Sequence, residues 1–158
     1  MTSYSTPLTL TSPSLSENIV EIVKEIGAKV GFNIKDDDIQ AAHRVPRFDK
    51  AATKNIVIQF CSRWKKNQLL QACSRFRKDN NNKISAKNIN RNLPDQTIYI
   101  SEHLTPKFKG LLKKAKQQAR DAGWKFIWTN DGHIHAKKDD KTTPRISIQC
   151  EQDILEIK

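Results

Sequence analysis

Apolar positions fall into helical spacing at three places along the chain and into strand-like runs at several others. Ile19, Ile22, Val23, Ile26 and Val30 recur at helical intervals behind Ser16, which offers an N-cap, and Gly31 supplies a C-terminal stop. The stretch "FNIKDDDIQAAHRV" passes from an acidic patch into a short strand near Ile39 to Val45. "NIVIQF", Asn55 to Phe60, is β-branched and nearly all apolar, the pattern of a central strand. Ser62 opens a second helix, "RWKKNQLLQACSRFRK", with Leu69, Leu70, Cys73 and Phe76 toward a core. "PRFDKAATK" reads as a loop, "DNNNKISAKNINRNLPDQ" as a long polar connection, and "TIYISEH" as another strand.

The polar segment "MTSYSTPLTLTSPSLS" reads as mostly flexible, with "PLTLT" as a weak first strand. The predicted order is strand, helix, strand, strand, helix, strand, with the first strand weak or missing. That is the ferredoxin-like βαββαβ order of RNA-recognition motifs. A second unit begins where Thr105 and Pro106 supply an N-cap and N1 pair. Its helix runs to about Ala122 and stops at Gly123; a Trp-rich hairpin, the strand "RISIQC" and a short helix "EQDILEI" follow. The fold class is therefore α+β. Residues 1–15 form a flexible N-terminus, 16–103 an RNA-recognition-motif-like domain and 104–158 a small C-terminal α/β domain.

Charge sharpens this picture. Lys and Arg total 28 against 17 Asp and Glu, a net +11 in 158 residues. Residues 42–141 hold 23 basic and 8 acidic side chains, a balance of +15, and the remainder holds 5 and 9, a balance of −4. So concentrated a positive field points to a polyanion, most often nucleic acid. In the helix Thr105–Ala122, Phe108, Leu111, Leu112, Ala115 and Ala119 form one stripe, and Lys109, Lys113, Lys116 and Arg120 form a narrower one beside it. Four cations over eleven residues span about 16 Å. The row has no acidic i,i+4 partners, so it is not an alternating ion-pair face. It suits consecutive phosphates and carries little base information, because lysine lacks a fixed fork.

The hairpin "AGWKFIWTNDGHIHAKKDD" admits two registers. A two-residue Asp131-Gly132 turn pairs Trp128 with His135 and Phe126 with Lys137. It gathers Trp124, Phe126, Trp128, His133, His135 and Lys137 on one aromatic and basic face, suited to stacking bases. A three-residue turn pairs Trp128 with Ile134 and Phe126 with Ala136, which makes the aromatics core. The second is the cleaner amphipathic solution, and pattern alone favours it. His133 and His135 share a strand face, but His103 and Cys150 stand at no metal-binding spacing, so no metal site is expected. Cys61, Cys73 and Cys150 are odd in number and lack a Cys-x-x-Cys pair, which favours a reducing, intracellular compartment, nuclear or cytoplasmic. No run reaches the roughly 20 apolar residues of a membrane span, and no secretory signal opens the chain. No P-loop, nucleophile elbow or flanked acidic pair is present, so neither catalysis nor a cofactor is expected.

The segments "AAHRV", "NIVIQF", "SRWKKNQLLQA", "IYISEHLTP", "AGWKFIWTNDGHIHAKKDD" and "RISIQCEQDIL", in that order, resemble the FP-like C-terminal region of insect retroelement proteins. These are similar to the first-open-reading-frame proteins of LINE-type retrotransposons and to baculovirus FP (few-polyhedra) proteins. The resemblance covers about residues 16–158. It implies a protein that coats RNA non-specifically and acts as a nucleic-acid chaperone. It places Lys113 near a basic position of the LINE motif and Trp128 near a strand aromatic implicated in binding, which sets the exposed Trp128 level with the core reading. Three departures stand out. No heptad segment precedes Ser16, so trimerisation through a coiled coil is not encoded here, and self-association by another route stays open. The first strand is absent or reduced to "PLTLT". "NIVIQF" lacks the exposed aromatics of ordinary RNA-recognition motifs, so binding leans on cations.

The expected function is therefore non-specific single-stranded RNA or DNA binding. The expected contacts are Arg44, Lys109, Lys113, Lys116, Arg120, Trp128, Lys137 and Lys138. The alternative is a structural or assembly protein of the baculovirus FP type, acting through protein contacts.

Overall fold

The computed structural model describes residues 18–45, 55–81, 83–89, 91, 95–139 and 143–158, with backbone alone at 5–9 and 88. The chain is mixed α and β with two small antiparallel sheets. It divides into two compact units, Met1–Ser101 and Glu102–Lys158.

In the first unit, β1 (Ser5–Thr9), β2 (Ile39–Arg44) and β3 (Asn55–Phe60) form a sheet in the order β1-β3-β2, both pairings antiparallel. The weak first strand is thus present, two residues earlier than "PLTLT" suggests; residues 10 and 11 lie outside the described set. Ile56, Ile58 and Phe60 of β3 enter a core with Val23 and Ile26 of α1 (Ile19–Lys29) and Leu69, Ala72 and Cys73 of α2 (Arg63–Asp79). Val57 and Gln59 point to the other sheet face, opposite His43 and Ala41, as the two-residue period of a strand requires.

α1 begins at Asn18, whose side-chain oxygen accepts from the Val20 and Glu21 amides at 3.1 and 3.3 Å. The expected cap, Ser16, lies outside the described residues. The stop is as expected: Gly31 takes φ +79°, its amide donates to Ala28 O, and the Phe32 amide donates to Gly27 O at 2.8 Å, a Schellman ending.

The largest departure concerns the end of this unit. The "polar connection" contains a helical turn, α3 (Ala86–Ile89), and sends Ile84 and Ala86 into the core. "TIYISEH" forms no ladder strand among the described residues. Thr97 makes an isolated antiparallel bridge to Ser85, the Ile98 amide donates to Ile84 O at 2.7 Å, and the Ala86 amide donates to Gln96 O at 2.8 Å. Residues 96–98 pair with this neighbouring turn, and the segment still alternates: Ile98 and Ile100 are buried and Tyr99 is exposed. A βαββαβ sheet would need a fourth paired strand at this point.

In the second unit, α4 (Pro106–Asp121) packs Leu111, Ala115 and Ala119 against one face of a sheet ordered β4-β5-β6, made of Phe126–Asn130, His133–Lys137 and Ile146–Ile148. Thr105 caps α4 by accepting from the Phe108 amide at 3.4 Å, and Pro106 holds the first helical position. The closing helix α5 (Glu151–Ile154) adds Ile154, and Ile157 follows it into the same core. Among the described residues, no helix is long and apolar enough to cross a membrane.

Candidate nucleic-acid interface

The β4–β5 register decides which face the aromatics occupy. Trp128 pairs with His135, Phe126 with Lys137 and Asn130 with His133. The turn is the two-residue Asp131-Gly132 form, both residues at positive φ (51° and 78°), as a type I′ hairpin demands. The register favoured on amphipathic grounds is therefore overturned. Ile127, Ile134 and Ala136 supply the inner face, and Phe126, Trp128, His133, His135 and Lys137 take the outer one. The missed determinant is Glu102. Its carboxylate is buried and accepts from the Asp131 amide at 2.9 Å and the Gly132 amide at 3.2 Å. Those are the two central amides of the I′ turn, and a contact 30 residues apart leaves no mark in local periodicity.

Trp124 departs from the expected outer set. It follows Gly123 (φ +70°) at the Schellman ending of α4, with its amide donating to Ala119 O at 2.8 Å. That ending turns the ring onto the α4 core, and its Nε1 donates to Lys158 O at 2.9 Å.

On the outer face, Phe126 is exposed and Trp128 half-buried. The Trp128 and His135 rings lie 5.6 Å apart, tilted by 42°, and His133 stands 6.4 Å from His135. His135 lies on the central strand between Trp128 and Ser147 and is buried, with its Nδ1 unpaired. Burial first, then Arg145 and His133, hold its pKa below the ordinary value, against the opposing pull of Glu102. The shift favours the uncharged ring on this face.

The expected cations separate into distinct places. Lys109, Lys113, Lys116 and Arg120 are all exposed on one flank of α4, as their spacing requires. Arg120 donates to Gln117 Oε1 at 2.6 Å. Lys116 and Arg120 wall a groove with Lys125 over Ala119, Trp124 and Ile127. Lys137 stands on the outer sheet face opposite Phe126. Lys138 turns away from it, its Nζ donating to Lys158 O at 3.0 Å beside the Trp124 bond. Arg44 ends β2 in the first unit, opposite Ile56. The row and the aromatic face are thus on opposite sides of the second sheet, since α4 covers the inner face. Lys125 and Arg145 are exposed surface groups that the residue pattern did not single out.

Among the described residues, no group of three His, Cys, Asp or Glu side chains is placed to hold a metal ion. Burial pushes the Cys73 thiol up to about 12, so it is not a nucleophile at neutral pH.

Residues 105–158, about a third of the chain, match the family described as Baculovirus FP protein domain 2. The matched segment coincides with α4, the hairpin, β6 and α5, which carry the row and the aromatic face. No curated protein matches the chain.

Proposed function

With the C-terminal segment similar to Baculovirus FP protein domain 2, we propose that this chain binds single-stranded nucleic acid with little base preference, using the outer face of β4–β5 to stack bases and the α4 cations to hold phosphates. The observation that carries the reading is the Trp128–His135 pairing, which directs Phe126 and Trp128 away from the core beside Lys137. Stacking on such rings contributes about 1–3 kcal/mol per base and tolerates any base. The resemblance of the ordered segments to LINE-type first-open-reading-frame proteins supports the same reading, including an RNA-recognition-motif-like first unit and a chaperone-like role. A non-catalytic, intracellular protein belongs to this proposal.

The test is fluorescence anisotropy of labelled single-stranded RNA and DNA across a salt series. Trp128→Ala should weaken binding by about 1–3 kcal/mol, with the salt slope nearly unchanged and the melting temperature close to the parent's. A protein that melts lower yet binds normally would show that the ring is packing, not platform.

The family match is compatible with a second reading, assembly through protein contacts. It would be preferred if neither nucleic acid bound and a protein partner were captured through the same exposed rings.

A further inference from the structure

The groove between α4 and β4 is the feature that the residue pattern least anticipated. Its floor is apolar: Ala119, Trp124 and Ile127. Its walls are three cations from two elements, Lys116 and Arg120 of α4 and Lys125 just ahead of β4. The volume is about 260 Å³, small and open, suited to a length of chain and not to an enclosed small molecule. Among the described residues, no Asp or Glu lines it.

The groove adjoins the aromatic face through one strand. β4 is an edge strand, since the sheet order is β4-β5-β6. Its side chains alternate, so Ile127 enters the groove while its neighbours Phe126 and Trp128 point to the outer face. Only the edge of β4 separates a three-cation seat from a stacking surface.

We propose that the α4–β4 groove is a phosphodiester seat, and that one nucleic-acid strand wraps the edge of β4, with backbone against Lys116, Arg120 and Lys125 and the following bases over Phe126 and Trp128. Sugars rest on Trp124 and Ile127. Lys125 becomes a phosphate contact and β4 the element around which the strand turns. This rests on the nucleic-acid reading above and assigns its path.

The experiment uses the full chain and a labelled single-stranded hexanucleotide, near the short end of single-domain site sizes. Variants are Lys125→Ala, Arg120→Ala, their double, and Lys107→Ala as an exposed cation of α4 outside the groove lining. One phosphate contact on a single strand contributes a salt slope of about −0.7, or about fivefold in affinity at 0.1 M salt relative to 1 M. Each groove variant should lose about fivefold and reduce the slope by about 0.7; the double should lose about 25-fold. Lys107→Ala should change neither, and melting temperatures should hold throughout. Trp128→Ala should weaken the same hexanucleotide without altering the slope. If the parent binds and the groove variants match it, or if Lys107→Ala is equally damaging, the seat is overturned while nucleic-acid binding stands. If poly-glutamate competes as well per charge as the oligonucleotide, the groove is a general polyanion patch and the seat is again overturned. If the parent fails to bind any single strand, the nucleic-acid reading falls and the path falls with it.

Discussion

At the residue scale, His135 and Gly27 show environment overriding ordinary behaviour. An unfolded histidine takes its proton near pH 6.5; buried beside Trp128 and facing Arg145, His133 and Glu102, His135 takes it at lower pH. Between the two values the unfolded chain binds more protons, so stability rises with pH. His135 therefore contributes stability that is present above about pH 6.5 and is lost as pH falls through its folded value. Melting followed from pH 7.5 to 5 should decline in that window, and His135→Gln should flatten this part of the profile. An unchanged profile would contradict the assignment. Gly27 poses a contest of magnitudes. Alanine in mid-helix is favoured over glycine by about 1 kcal/mol. A Cβ at Gly27, however, would stand 2.6 Å from the Phe32 carbonyl oxygen and 2.7 Å from Ile34 Cδ1. The nearest atom is backbone and cannot swing aside, so crowding should prevail. Gly27→Ala is expected to destabilise by about 1–3 kcal/mol in urea unfolding, whereas a stabilised variant would mean that the α1 ending relaxes easily.

At the element scale, local signals were reliable where an element is specified by its own residues. "NIVIQF" is β3 to the residue, and Thr105, Pro106 and Gly123 bracket α4 because capping is written in adjacent positions. Signals failed where a distant group decides. The hairpin pattern fits either register, and the choice rests on Glu102, which offers both carboxylate oxygens to the tip amides of one turn only. "TIYISEH" has strand composition, but its ladder requires a partner that composition does not supply, and Ser85 meets Thr97 in an isolated bridge. Trp124 reads as part of an alternating strand until the α4 ending turns it inward. Glu102→Ala removes two charge-assisted hydrogen bonds from a buried carboxylate and leaves the Asp131 and Gly132 amides without this acceptor. A loss of about 3 kcal/mol or more is expected, each bond to a charged group being worth about 1.5–3 kcal/mol. The Asp131 and Gly132 amide resonances should shift and exchange faster with solvent. Unmoved resonances would mean the turn holds its form through Asp131-Gly132 chemistry alone.

At the scale of the whole molecule, the charge surplus of residues 42–141 becomes a question of which cations act together. The net charge of +11 describes a field, and a field steers any polyanion. The structure resolves that field into places: Arg44 at the end of β2, Lys137 beside the exposed Phe126, Lys138 drawn to Lys158 O, and the exposed row of Lys109, Lys113, Lys116 and Arg120 along α4. Lys114 is set apart from that row by its 2.6 Å ion pair with Glu151. If the row acts as four phosphate contacts on a single strand, log K should fall with log[salt] at a slope of roughly −3. Lys113→Ala with Lys116→Ala removes two of them. The slope should then fall by about 1.4, and affinity should drop alike for every base composition, because lysine to phosphate carries no sequence information. The fold should hold, since both side chains are exposed. Anisotropy titrations of homopolymeric strands at several salt concentrations give slope and base preference together. A slope that stays at its parental value would assign the electrostatics to other cations, and a loss confined to one base would show that the row reads sequence.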